Sequence, residues 1–479
     1  MNIPSKGFKN LTLNEKVIDV QSLVDQLSDV NIDNNGVSLK NLSVDYLYAD
    51  DSNIQDIIKE YQVKSDSRLY IGITTTDTSK TFKCKMPIFN YDDDGIRYFV
   101  NWGDSEEDQE ITPYTEAMEI SHEYSAAGEF TIQIFSKIND HCYNPIIRTS
   151  EGEFNENTLI TSVKMPESLT FIDEETFCKC TNLTDVKLSH ATTTLAKKAF
   201  NKCTSLETIV LPRELTTMFS RVFEGCTKLK SINIYDTNVT TIPYQCFKDC
   251  IALKDIGILN GSSTYIYKVQ KFDTQCFINS GIEKIVFASP FEIIVGHSAF
   301  KNCKSLSIVN FTANSDVPMH LKGSCFFGCT SLTSTINMNK VALEGESIFC
   351  GCTGLTNVVF NELVGIDKIP GLTFKGCTGL TTVDMSKSRS IKTIGSRAFN
   401  GCTNLTKVRL PRSLENIELD AFSNCTALVA KFDEEKAAGT IECINIPDNL
   451  QYCDWNAFNS TGGHTSISRY FLTGEKGAS

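Results

Sequence analysis

Histidine and tryptophan are scarce in this sequence, which has 6 His and 2 Trp among 479 residues. The histidines are scattered, so their spacing does not suggest the clusters that metal and catalytic sites use. The sequence also lacks a P-loop, a G-x-S-x-G nucleophile motif and an H-E-x-x-H zinc motif. We therefore expect no catalytic residues, no metal and no cofactor, and we predict that the protein is not an enzyme.

The sequence also has fewer basic than acidic residues, and it has no long apolar run. The formal net charge is -13, which argues against a nucleic-acid partner, because phosphates are bound by clustered Lys and Arg. No apolar run reaches the roughly 18 residues of a membrane span, so we expect no membrane insertion. The start, Met1 to Phe8, lacks the apolar segment of a signal peptide. We therefore expect synthesis in the cytoplasm without export by the general secretory route, unless a leader has been removed.

What the sequence does contain is one phrase repeated about every 23 residues. The copy that begins at Phe200 places Cys203, Leu206, Ile209 and Leu211 at fixed offsets. One copy cannot bury its apolar face alone, so copies must stack. This pattern predicts a mostly β fold, a leucine-rich-repeat solenoid of about eleven coils. The phrase is headed by Phe177, Phe200, Phe223, Phe247, Phe277, Phe300, Phe326, Phe349, Phe374, Phe399 and Phe422.

Cysteine is abundant, with 19 residues, and most of them occupy one slot of the repeat. A slot that is reused in this way indicates a packing position, where a reduced thiol is buried as a small apolar group. A metal or disulfide role is the alternative. The odd total and the spacing of Cys178 and Cys180 argue against it. We predict a core that includes Phe200, Cys203, Leu206, Phe223, Cys226, Phe399 and Cys402.

The repeat is most complete from Leu405 to Phe422, which reads Leu-x-x-Val-x-Leu-Pro-x-x-Leu-x-x-Ile-x-x-x-Ala-Phe. In this pattern the chain resembles BspA-type leucine-rich-repeat proteins of the treponemal class. The resemblance implies a stacked solenoid with a binding role, since such repeats are typical of surface proteins of bacteria and some protists that contact host cells or matrix proteins. Two features depart from the pattern, namely Ser280 in the cysteine slot and a longer coil from Leu253 to Phe277.

Residues 1–65 belong neither to the repeat nor to the β-sandwich region that follows them. Helical spacing from Val17 to Leu27, and again from Ile54 to Tyr61, predicts a short helical segment. Such a segment is too small to hold a sizeable core by itself. It either packs on the next domain or attaches the chain to another protein, and we favour attachment.

Residues 66–150 are predicted to form short β-strands separated by turns. The segments Val100-Asn-Trp-Gly-Asp104 and His122-Glu-Tyr124 resemble the polycystic-kidney-disease (PKD) type of immunoglobulin-like domain. The resemblance implies a small β-sandwich in which His122 and Asp104 have structural roles. Ser105 stands where that family usually has glycine. The solenoid then occupies residues 151–479, with a C-terminal cap from about residue 430.

Two sets of polar residues are candidates for binding. The acidic run Asp92 to Asp94 either binds Ca²⁺ or forms a solvated turn. The outward rows of the predicted strand ladder form the second set, and they contain no paired carboxylates, no His-Cys cluster and no aromatic stripe. The candidate ligand-facing residues in these rows are Lys187, Asn233, Asn310, Asp384, Lys407 and Arg409.

These features favour a non-enzymatic recognition or adhesion protein that binds a protein or glycan on a cell surface. The repeats are of a type found on exposed proteins, yet the cysteines are expected to be reduced and no export signal is seen. A phage virion fits this combination, because it assembles in the cytoplasm and is exposed only after lysis. There the chain is a head or tail decoration or fibre, bound to other virion proteins through residues 1–65. The first alternative is a bacterial or protist cell-surface adhesin that binds a host matrix protein. The second is an accessory part of a glycan-active enzyme system.

Overall fold

The computed structural model of the protein describes residues 68–89, 97–105, 107–111, 119–138, 141–143, 146–257, 268–287, 291–310, 318–333, 335–361, 363–428, 447 and 449–461, and five strands between residues 10 and 44. In these residues the chain consists of strands and turns, and the one helix is a 3-10 turn, Ile234–Asp236. The prediction of a mostly β fold is confirmed.

The first 65 residues contain strands at a place where the sequence suggests a helix. Val17 pairs with Thr12 in an antiparallel hairpin, so the helix prediction is wrong at this residue. The β-branched pair Val17 and Ile18 favours an extended backbone. Ile18 and Asp19 belong to the same strand, and the remaining positions of the predicted helices, residues 20–27 and 54–61, lie outside the described residues. The strands are β1 Asn10–Leu13, β2 Lys16–Asp19, β3 Val30–Asp33, β4 Gly36–Leu39 and β5 Leu42–Val44.

The next unit is built from short, mostly antiparallel strands. They are β6 Leu69–Thr75, β7 Thr81–Lys85, β8 Ile88–Phe89, β9 Arg97–Asn101, β10 Gln109–Ile111, β11 Glu119–Glu123, β12 Gly128–Ile138, β13 His141–Tyr143 and β14 Ile146–Arg148. One sheet has the strand order β10-β9-β12-β6, and a smaller sheet pairs β11 with β7. Phe82 of β7 lies edge-on to Trp102 at the end of β9, with ring centroids 6.4 Å apart, so the two sheets share one core.

The residues that suggest an immunoglobulin-like domain pack against one another. Trp102 and the His122 ring are stacked with centroids 4.9 Å apart, and the Tyr124 hydroxyl donates a 2.8 Å hydrogen bond to the Trp102 carbonyl. His122 Nε2 lies 2.7 Å from Asp104 Oδ2. These contacts fasten the turn after β9 to β11, which is a structural role for both residues. The immunoglobulin-like assignment itself stays a prediction.

The solenoid follows, and each of its coils carries short strands joined by tight turns. Its strands are β15 Ile160–Lys164, β16 Phe171–Ile172, β17 Asp185–Lys187, β18 Thr194–Leu195, β19 Thr208–Ile209, β20 Thr217–Met218, β21 Ser231–Ile232, β22 Thr241–Ile242, β23 Lys271–Phe272, β24 Lys284–Val286, β25 Ile293–Val295, β26 Ile308–Asn310, β27 Met319–Lys322, β28 Ile336–Met338, β29 Val341–Glu344, β30 Asn357–Phe360, β31 Lys368–Ile369, β32 Thr382–Asp384, β33 Thr393–Ile394, β34 Lys407–Arg409, β35 Asn416–Ile417 and β36 Tyr452–Cys453.

These strands form two parallel ladders along the solenoid. We call the series β15, β17, β19, β21, β24, β26, β28, β30, β32 and β34 the first ladder. The remaining solenoid strands form the second ladder. In the first ladder Val383 pairs with Val408, and in the second Ile394 pairs with Ile417. Equivalent residues of adjacent coils therefore stand side by side, as the repeat predicts.

The N-terminal unit covers the open end of both ladders. Strand β6 pairs antiparallel with β15 of the first ladder. Strand β8 pairs antiparallel with β14, which pairs in parallel with β16 of the second ladder. The sheets thus continue across the boundary predicted at residue 150. Because an uncovered edge strand offers its N–H and C=O groups to other chains, this unit serves as a cap for the solenoid.

The core of the solenoid contains a column of phenylalanine rings. Phe200 stacks on Phe223 with centroids 5.6 Å apart, and Phe399 stacks on Phe422 at 5.1 Å. The column continues to Phe458 of the last described coil, 5.2 Å beyond Phe422. The acidic break in the repeat at residues 433–436 lies outside the described residues. All of the predicted core residues are fully buried, namely Phe200, Cys203, Leu206, Phe223, Cys226, Phe399 and Cys402.

Candidate functional site

The candidate ligand-facing residues all lie on or beside the first ladder, but they are spread along its length. Lys187 is exposed at the end of β17, near the N-terminal cap. Lys407 and Arg409 lie on β34, far along the solenoid, and Asp384 lies on the adjacent strand β32. Asn310 ends β26, and its side chain lies outside the described part of the structure. The structure therefore brings together only the residues near the C-terminal end of the ladder.

Asp384 and Arg409 form an ion pair between adjacent coils. Arg409 Nη1 lies 3.0 Å from Asp384 Oδ2, and Asp384 also accepts hydrogen bonds from the Ser386 amide and hydroxyl. Partial burial opposes ionisation of Asp384, but the bonds from Ser386 and the Arg409 guanidinium lower its pKa below the usual value. The carboxylate is thus charged at neutral pH and neutralises the charge of Arg409. This part of the ladder therefore presents polar groups but little net charge.

Asn233 has a different environment from the other candidates. Its amide nitrogen donates to the Leu211 carbonyl at 3.0 Å, and its carbonyl oxygen accepts from the Leu211 amide at 2.8 Å. Leu211 belongs to the preceding coil, so this side chain substitutes for a pair of ladder hydrogen bonds. We conclude that Asn233 joins two coils, and that its side chain is already occupied.

The cysteine slot proves to be a column of hydrogen-bond donors. The thiol of Cys203 donates to the Phe177 carbonyl and that of Cys226 to the Phe200 carbonyl, both at 3.1 Å. Desolvation raises the pKa of Cys226 to about 12, so the thiol keeps its proton. Apart from Cys142 and Cys443, whose side chains lie outside the described part of the structure, the cysteines are free thiols. An equivalent hydrogen bond, from the thiol to the carbonyl of the phenylalanine in the preceding coil, is made by Cys180, Cys250, Cys303, Cys329, Cys352, Cys377, Cys402 and Cys425.

Sequence reasoning did not identify a charged cluster on the second ladder. His320 Nδ1 lies 2.5 Å from Glu344 Oε1, and its Nε2 lies 2.8 Å from Glu292 Oε1. Lys322, two residues beyond His320, pairs with the other oxygen of Glu344. These residues come from three adjacent coils, and the strand register is what assembles them. The uneven coil lengths from 253 to 349 are the one signal in the sequence that marks this region.

The described residues do not assemble other reactive chemistry. Across the ranges that the structure covers, no group of three or more His, Cys, Asp and Glu side chains has a metal-binding arrangement. The acidic run at 92–94 lies outside those ranges. No helix in the described part of the chain is long and apolar enough to cross a membrane. What the described residues do offer is two long, regular, mostly polar surfaces.

Comparison with known proteins identifies the repeats. The sequence matches the BspA type leucine rich repeat region over residues 148–269, 270–388, 295–429 and 365–468, which is more than half of the chain. No curated protein sequence matches it.

Several solved structures are similar to this chain. A leucine-rich repeat protein from Bacteroides ovatus is 22% identical, with a TM-score of 0.42, over 69% of this chain and 83% of that one. A leucine rich cell surface protein from Faecalibacterium prausnitzii is 21% identical, with a TM-score of 0.38, over 68% and 89%. The pneumococcal vaccine antigen PcpA is 15% identical, with a TM-score of 0.37, over 67% and 77%. From the match over residues 148–468, this chain belongs to the BspA-type leucine-rich-repeat family.

Proposed function

We propose that the protein is a non-enzymatic recognition protein whose solenoid presents a broad binding surface. The observation that carries the proposal is the register of the first ladder, in which Thr382 stands beside Lys407 and Asp384 beside Arg409. Polar side chains thus repeat at the coil spacing, about 4.8 Å, on a scaffold fixed by the stacked core. A scaffold that is ordered before binding loses little conformational entropy when a partner binds. Membership of the BspA-type family supports this function, since such repeats are typical of surface proteins.

The proposed partner is a protein or glycan on a cell surface, and direct binding measurements test this. The labelled chain would be titrated onto bacterial cells and onto immobilised host matrix proteins. We expect the double variant Lys407→Ala/Arg409→Ala to bind at least tenfold more weakly than the parent chain. The matched control is Lys197→Ala/Arg221→Ala, which removes the same charges from another part of the solenoid. Equal weakening in both double variants, or no binding to either class of target, would contradict the proposal.

The absence of catalysis is part of the same proposal. The chain would be incubated with a panel of polysaccharides, and new reducing ends would be measured. Their appearance would overturn the non-enzymatic assignment and favour a role in a glycan-active system.

For the setting we propose the exterior of a phage virion, with residues 1–65 as the attachment segment. The support comes from the sequence, namely repeats of a type found on exposed proteins together with cysteines in a buried slot, which suits synthesis in a reducing compartment. Mass spectrometry of purified particles should detect the chain. Deletion of residues 1–65 should release it from particles while the circular dichroism of the solenoid is unchanged. Recovery of the chain in the cell-envelope fraction would favour the cell-surface adhesin instead.

A further inference from the structure

A groove of about 620 Å³ crosses four adjacent coils on the second ladder, beside the ends of β23, β25, β27 and β29. Its volume lies within the range of about 300–1,000 Å³ that is typical of small-ligand sites. Gly296 and Gly323 are buried at its floor, and Gly345 belongs to the next coil. The groove lies apart from the candidate residues of the first ladder, and the repeat pattern does not predict it.

Two glycines allow the coils to approach each other at the floor of the groove. Gly345 has a φ of 135°, and a Cβ atom there would lie 2.7 Å from the Gly323 nitrogen. A Cβ atom on Gly323 would lie 3.3 Å from the Glu346 carbonyl and 3.5 Å from His297 Cδ2. Gly345 is also an extra residue, since the interval from Leu343 to Phe349 is one longer than that from Leu321 to Phe326. Gly345 follows the last residue of β29, so the extra residue changes the path of the chain after the strand and leaves the register with β27 intact.

Charged side chains of both signs surround this floor. Lys322 is paired with Glu344, which His320 also contacts. These ion pairs hold the side chains of Lys322 and Glu344 in place at the groove. His297 and Glu346 are exposed and line the groove, with the His297 ring and the Glu346 backbone near Gly323. In the described part of the chain Glu346 forms no ion pair, and its Oε1 lies near Gly371 of the next coil.

The composition of the lining selects among ligand classes. The lining has two lysines and three carboxylates, so its charges nearly cancel. Such a lining has no strong electrostatic attraction for a phosphate polyanion or for a polycation. Ile294 is the one apolar side chain among the described residues of the lining, which leaves a peptide without the apolar pocket that anchors such partners. The groove also crosses the face of a ladder in which β23, β25 and β27 are paired on both sides, so a peptide strand cannot be added to these three strands.

A ligand rich in neutral hydroxyl groups suits this lining, because each hydroxyl both donates and accepts hydrogen bonds. The ammonium and imidazole groups of the lining supply donors, and its carboxylates supply acceptors. We propose that this groove binds a neutral oligosaccharide, with His297 and Glu346 as contact residues. The inference rests on the proposed recognition function and names a site and a ligand class for it.

Calorimetric titration of the full chain with the hexaoses of the cello, xylo, manno and malto series tests the inference. We expect at least one hexaose to bind, and we expect binding to weaken at least tenfold in Glu346→Ala and in His297→Ala. The matched control is Glu283→Ala, which removes an exposed carboxylate of the first ladder. Circular dichroism of each variant verifies the fold. No binding by any hexaose, or equal binding by Glu346→Ala and Glu283→Ala, overturns the inference.

Cell binding separates this inference from the broader proposal. If the chain binds cells and binding is abolished by periodate treatment of the cells and by Glu346→Ala, both stand. If binding is instead abolished by protease treatment of the cells and retained by Glu346→Ala, the groove inference fails and the recognition function stands. If the chain binds neither cells nor matrix proteins, the recognition function fails.

Discussion

The thiol of Cys226 donates a hydrogen bond to the carbonyl oxygen of Phe200 in the preceding coil, with sulfur and oxygen 3.1 Å apart. That carbonyl also accepts the amide of Cys203 within its own turn. Each cysteine of the column therefore joins two coils and fills a small space in the core. This geometry explains why cysteine, rather than alanine or serine, recurs in the slot: it supplies a donor and more apolar volume together.

We expect Cys226→Ala to reduce the free energy of unfolding by about 1–2 kcal/mol, because the change removes a buried sulfur and its hydrogen bond. Urea denaturation followed by circular dichroism measures the effect. Cys350→Ala is the matched control, since Cys350 is only half-buried, and we expect it to cost less. Equal costs for the two variants would show that the column contributes no special stability.

Thiol reactivity provides a second test of the column. Burial raises the pKa of both Cys226 and Cys350, that of Cys226 to about 12. Because the thiolate is the reactive form and the reagent must reach it, we expect iodoacetamide at about pH 8 to label Cys350 before Cys226. Peptide mapping by mass spectrometry gives both rates, and guanidinium should make them similar. Faster labelling of Cys226 in the native protein would contradict its buried position.

The phenylalanine column should dominate the stability of the coils. Phe223 is fully buried and stacked on both sides, so we expect Phe223→Ala to cost about 3–5 kcal/mol. Phe219 lies in the same coil and is 49% exposed, so we expect Phe219→Ala to change stability by less than about 0.5 kcal/mol. Thermal unfolding of the two variants would give the comparison. Similar losses in both would show that stacking between coils is not what holds the solenoid.

The solenoid could be predicted from the sequence because its period is strong. Phe200, Cys203 and Leu206 recur at constant offsets, and stacked coils are the arrangement that buries all of these positions. The period also fixes which residues of neighbouring coils are adjacent, as it does for Asp384 and Arg409. Core positions and strand register therefore follow from the repeat alone.

Local geometry does not follow from the repeat in the same way. Lys198 and Lys202 both have a φ of 58°, a region that lysine rarely adopts, and each is held there by an amide hydrogen bond to the next coil. Asn233 shares its row with exposed residues, yet its side chain bonds to Leu211. The groove is lined in part by Gly345, an extra residue that leaves the step of 23 residues from Phe326 to Phe349 unchanged. These features arise from contacts between coils, which the pattern of a single coil does not contain.

A buried carboxyl group lies where the N-terminal unit meets the solenoid. The side chain of Glu153 is buried, and its Oε2 accepts the Ser150 amide at 2.8 Å. Within the described residues its Oε1 has no hydrogen-bond partner. Burial raises the pKa of Glu153 well above its usual value, and the nearby Asp173 adds to the rise. The group is therefore protonated in the folded protein at pH values where it is ionised in the unfolded chain.

This difference makes the stability of the junction dependent on pH. Since the folded state retains a proton that the unfolded state releases above about pH 4.3, the stabilising contribution is complete below that value and is lost as the pH rises. We expect the free energy of unfolding to fall by about 1–3 kcal/mol toward alkaline pH from this group. Glu153→Gln should flatten the dependence, because glutamine has no proton to release. Glu151→Gln is the matched control, since Glu151 is exposed on the same turn. A pH profile that is unchanged in Glu153→Gln would show that Glu153 ionises equally in both states.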